Sequence, residues 1–130
     1  MTPAGASVRR GLALTLLVAL VAACDAGPPA PTPAAVAPTL FTLVASGIAY
    51  EPTTVAVPAG VPMMVTLEHR DAGIPHGLTL LAGETTLVEE TPVIGPTRET
   101  YAIGGLIPGR YRFSCVVHPN MLADLIVEGS

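Results

Sequence analysis

The chain has 130 residues, a formal charge of −4 and no lysine, so it has room for one ordinary domain and no basic patch for a nucleic acid. Thirteen glycines and fourteen prolines break it into short pieces, and no long stretch carries helical periodicity. Two cysteines are too few for a disulfide framework.

Arg9 and Arg10 precede an uncharged apolar run over residues 11–23, closed by small residues before Cys24. A basic start, a short apolar run and a small-residue cleavage site predict an export signal over residues 1–23. The run is shorter than the ~20 apolar residues that a membrane-spanning helix needs. Leu20-Val21-Ala22-Ala23-Cys24 resembles the lipobox of bacterial lipoproteins, which implies cleavage before Cys24 and lipidation of its sulfur. The plainer alternative is an ordinary signal peptide that contains a cysteine. On the lipoprotein reading the mature protein is exported and anchored on the outer face of the cytoplasmic membrane. From Cys24 onward ten acidic residues stand against Arg70, Arg98, Arg110 and Arg112, so the mature part is more acidic than the whole.

After Cys24, residues 26–39 of the spacer (24–39) are almost entirely Ala, Pro, Gly and Thr, with prolines at 28, 29, 31, 33 and 38. Such a composition cannot build a core and predicts an extended spacer, reaching about 3.1 Å per residue.

The folded domain is expected over residues 40–130. Short β-branched runs bounded by turn residues predict strands at 40–46, 53–57, 62–69, 77–81, 84–90, 97–103, 110–115 and 123–128. Pro58-Ala59-Gly60, Leu81-Ala82-Gly83 and Ile107-Pro108-Gly109 supply turns. The fold class is all-β: a Greek-key sandwich of seven to eight mostly antiparallel strands. A metal-free immunoglobulin-like module, with Cys115 simply buried, is the alternative.

The segment with the most chemistry is Cys115-Val116-Val117-His118-Pro119-Asn120-Met121. It gathers a thiolate, an imidazole and a thioether, the ligand types that a mononuclear blue-copper site takes from one loop. A second imidazole is needed from elsewhere, and His76 in Gly73-Ile74-Pro75-His76 is the candidate. Alternation in Tyr111-Arg112-Phe113-Ser114-Cys115 points Cys115 inward at a strand end, with His118 and Met121 carried back over it by a turn. An exported chain with an unpaired thiol also calls for metal ligation or burial of the sulfur.

From residue 40 to 128 the chain resembles the cupredoxins, the group of small blue-copper electron carriers that includes plastocyanin, amicyanin and azurin. Cys115, His118 and Met121 are spaced as in amicyanin, and Pro119 follows the histidine as in that loop. Ala72-Gly73-Ile74-Pro75-His76 is similar to the plastocyanin segment bearing the first histidine, and Tyr50-Glu51-Pro52 to the family's early strand. Val55-Ala56-Val57-Pro58-Ala59-Gly60 and Pro108-Gly109-Arg110-Tyr111 match as well. The resemblance implies one copper ion cycling between +1 and +2, held by His76, Cys115, His118 and Met121. It departs at Gly77, where the family usually has an asparagine that braces the cysteine loop; the glycine amide can still donate to the sulfur. A binuclear copper centre would need a second loop cysteine, which is missing.

His69, in Glu68-His69-Arg70-Asp71, is expected to be a solvated surface histidine. Met63 and Met64 are adjacent on a strand, so they face opposite sides and serve packing. No catalytic arrangement of serine, histidine and acid is recognisable, and the chain is not expected to be an enzyme. The reading is therefore a membrane-tethered monomer that carries single electrons between extracytoplasmic redox proteins such as a cytochrome or oxidase. The alternative is a copper-binding lipoprotein that buffers or delivers the ion without electron transfer.

Overall fold

The computed structural model describes residues 27, 30 and 33–129. The expected signal, Cys24 and most of the spacer lie outside the described residues. The chain divides after Pro33, and the strands all belong to the unit Ala34–Ser130.

The fold is an all-β sandwich. One sheet has the order β2-β1-β4-β9, built from Ala49–Glu51, Thr39–Ser46, Met63–His69 and Thr97–Ile103. The other has the order β3-β11-β10-β6-β7, built from Thr54–Pro58, His118–Glu128, Gly109–Cys115, Thr79–Ala82 and Thr85–Glu89. A small third pair joins β5 (Pro75–His76) to β8 (Val93–Ile94). Pairing is antiparallel except for β1 with β4 and β3 with β11.

All eight expected strands are present, but the two main sheets hold nine, with the β5–β8 pair besides. The additional strands are β2, β5 and β8, each of three residues or fewer. Runs that short show no alternation of their own; their partners, not their side chains, make them strands.

Period-two alternation builds the core. In β4 Met63, Val65, Leu67 and His69 are buried, while Met64, Thr66 and Glu68 are half-buried. In β10 Tyr111, Phe113 and Cys115 point inward, and in β11 Met121, Ala123, Leu125 and Val127 do so. Leu43, Val65, Leu67, Leu80, Phe113 and Leu125 are fully buried. Each such side chain contributes about 1.5–3 kcal/mol relative to exposure.

The strand pattern corrects the reading of His69, which is 1% exposed rather than solvated. Its charged neighbours suggested an edge. But β4 is paired on both sides, by β1 and β9, and the inward alternation of its odd positions runs on through residue 69.

Candidate metal centre

Two stretches of chain meet at one end of the sandwich. The first leaves β4 at His69, and β5 brings His76 into register with Val93 of β8. The second is the end of β10. Cys115 closes that strand facing inward, Val116 and Val117 make the turn, and β11 begins at His118. His118 is the register partner of Cys115, whereas Ser114 pairs with Leu122. The residues between, Pro119 to Met121, bulge out of the ladder, a place suited to a proline that has no N–H to donate. His118 and Met121 therefore lie on β11 itself, not on a turn leading into it. Their strand starts earlier than β-propensity suggests because His118 already pairs with Cys115, before the regular ladder resumes at Leu122.

One donor atom from each of His76, Cys115 and His118 lies within 4.8 Å of the others. The Cys115 Sγ is 3.7 Å from Nδ1 of His118. The rings of His76 and His118 stand 5.1 Å apart between centroids. His76, Cys115 and Met121 are fully buried, while His118 is half-buried. Cys115 is a free thiol. The Nδ1 of His76 is buried with no hydrogen-bond partner, a cost that a metal ion would remove. A cysteine sulfur, two imidazoles and a buried thioether three residues beyond the second imidazole make a candidate copper site. Sulfur and imidazole donors together suit copper in both of its oxidation states.

The surroundings hold this set in place. The amide of Gly77 donates to Cys115 Sγ at 3.4 Å. The buried hydroxyl of Tyr50 donates to the Gly77 carbonyl. Burial, and next the nearby Cys115, push the Tyr50 hydroxyl well above its ordinary value, so it stays a donor. His76 donates through Nε2 to Asp71 Oδ2 at 2.8 Å. Asp71 is held below the usual carboxylate range first by the Gly47 amide and then by His76.

Sequence reasoning brought His76, Cys115, His118 and Met121 to notice. It assigned nothing to Asp71 and misplaced His69. The His69 ring sits 6.2 Å from that of His76, with both nitrogens unpartnered. Burial, reinforced by His76, holds it below the ordinary histidine value, and so neutral. No local pattern marks Asp71, because its two amide donors arrive from a turn more than twenty residues away. Met63 is buried and Met64 half-buried on opposite faces of β4, consistent with packing.

The chain matches the family model of a cupredoxin-like domain over residues 12–127. No curated protein matches it in sequence. Among solved structures it is similar to a dithionite-reduced auracyanin from the photosynthetic bacterium Roseiflexus castenholzii. That likeness has 18% identity and a TM-score of 0.62, covering 72% of this chain and 98% of that one. Auracyanin A, a blue copper protein from the green thermophilic bacterium Chloroflexus aurantiacus, gives 16% identity and a TM-score of 0.64, over 71% of this chain and 100% of that one. A reduced, Cu(I) form of an amicyanin variant gives 24% identity and a TM-score of 0.54, over 72% and 86%. At these identities the likeness is one of fold.

Proposed function

The chain belongs to the cupredoxin-like domain family, and from that membership we propose that it is a blue-copper electron carrier. The observation that carries this reading is the buried, unpaired Cys115 thiol gathered with His76 and His118, the orphaned Nδ1 of His76 among them. His76, Cys115, His118 and Met121 would hold the ion. Bound copper supplies a one-electron couple between +1 and +2.

The residues around the set limit rearrangement. Cys115 and His118 are register partners across the β10–β11 ladder, the Gly77 amide ties the first stretch to the second, and Tyr50 holds the Gly77 carbonyl. Rigid placement of donors that suit both oxidation states favours transfer over storage, since little has to move between them. His118, the one half-buried imidazole of the set, is the natural exit for the electron. Exposed Val116 and Val117 precede it, and exposed Ile94 pairs in register with Pro75 beside His76. On this reading the exposed apolar side chains near the two histidines are where a cytochrome or oxidase docks.

The remaining parts of the reading rest on the N-terminal sequence. A signal over residues 1–23, lipidation of Cys24 and a proline-rich spacer to residue 39 would tether the domain at residues 40–130. It would then stand on the outer face of the cytoplasmic membrane, and in a didermic host Asp25 after the lipidated cysteine would resemble a signal for retention there. Voltammetry of the copper-loaded domain should give a reversible one-electron wave with fast self-exchange. Slow exchange, together with copper handover to an apo-acceptor, would instead establish a copper-delivery protein.

A further inference from the structure

Asp71 lies outside the donor set, yet three donors from two parts of the chain converge on its carboxylate. The Gly47 amide donates to Oδ1 at 3.0 Å and the Ile48 amide to Oδ2 at 3.4 Å. His76 Nε2 donates to the same Oδ2 at 2.8 Å.

Gly47 and Ile48 form the β1–β2 turn, with φ of 59° and 58°. Two positive φ values are the pattern of the hairpin turn that matches strand twist, and Gly47 adopts them freely. Ile48 does not. A β-branched residue in the left-handed region is a strained outlier. Its side chain is 48% exposed, so little packing offsets that strain. What the conformation does achieve is to aim two successive amides at one carboxylate, as an anion-binding backbone concavity does.

Resting on the blue-copper reading, we propose that Asp71, clamped by the Gly47-Ile48 turn, is a positioning residue that fixes His76 as a ligand and favours the cupric state. A carboxylate can only accept, so the imidazole proton is held on Nε2 and the lone pair of Nδ1 is presented to the site. The same bond stops the ring from rotating and makes it a stronger base toward a metal. The negative charge behind the ring favours the more highly charged ion.

Two measurements test this on the full domain. In the metal-free wild type, long-range proton–nitrogen NMR should find His76 as the Nε2–H tautomer, and Asp71→Ala should convert it to a mixture. In copper titrations Asp71→Asn should weaken cupric binding about 10–100-fold and cuprous binding less. Each tenfold difference between the two raises the potential by about 59 mV. A proton on Nδ1 in the wild type, a tautomer unchanged in Asp71→Ala, or equal loss of both copper states in Asp71→Asn would overturn the proposal. Failure of the wild type to form a coloured copper complex would instead overturn the blue-copper reading. The metal-free NMR still decides the role of Asp71 in that case.

Discussion

The amide of Gly77 donates to the sulfur of Cys115 at 3.4 Å, joining two stretches of chain that are 38 residues apart. A side chain at residue 77 would have little room. A Cβ there would come within 3.2 Å of the Glu90 carbonyl oxygen and of Pro92 Cγ. The segment leading into β8 thus closes over residue 77. Tyr50, bonded to the Gly77 carbonyl, supplies a brace from the other side.

Gly77→Ala should therefore push residues 90–92 outward and lengthen the amide–sulfur bond. We expect a stability loss of about 1–3 kcal/mol, typical of overpacking, with a changed reduction potential in the fraction that remains folded. Thermal melting and voltammetry check this. Unaltered values in both would show that the segment over Gly77 yields freely.

His69 buries two ring nitrogens without partners. Such groups carry a desolvation cost of about 1–3 kcal/mol. His69→Leu, close to it in volume, should be neutral or stabilising by about 1 kcal/mol in denaturant titration of the metal-free domain at pH 7. A loss above about 2 kcal/mol would mean that the imidazole is doing something a leucine cannot.

Much of this architecture was legible in the residues alone. The eight longer strands announced themselves through β-branched runs and turn residues, and the Cys115 loop through its spacing. What escaped notice depended on long-range pairing. The short strand β5 is a strand only through its pairing with β8, and Pro75-His76 has no alternation to show. The burial of His69 follows from β4 being flanked on both sides, which its charged neighbours conceal. Asp71 acquires its two amide donors only when the Gly47-Ile48 turn folds over it.

Glu68 pairs with Arg70 at 2.7 Å and with Arg98 at 2.6 Å, and Arg70 foremost holds its carboxyl below the ordinary range. A depressed carboxylate stabilises the fold above its unfolded value of about 4.3 and loses that contribution as pH falls through the folded value. Glu68→Gln should thus be less stable than wild type at neutral pH, by a margin that closes as the pH is lowered below about 4. The pair is partly exposed, so added salt should shrink the difference. A gap that persists at low pH would trace to packing, not charge.

Cys24→Ser tests the tether in whole cells. It should block processing or release the protein in soluble form on fractionation. Unchanged membrane association would place the signal boundary elsewhere.

The central claim is that Cys115, as a thiolate, binds copper together with His76 and His118. The visible spectrum of the domain on addition of cupric ion tests it most directly. The wild type should develop an intense charge-transfer band with a blue or green colour, and Cys115→Ser should show none. Uptake of cupric ion without colour, or a band that survives in Cys115→Ser, would contradict it.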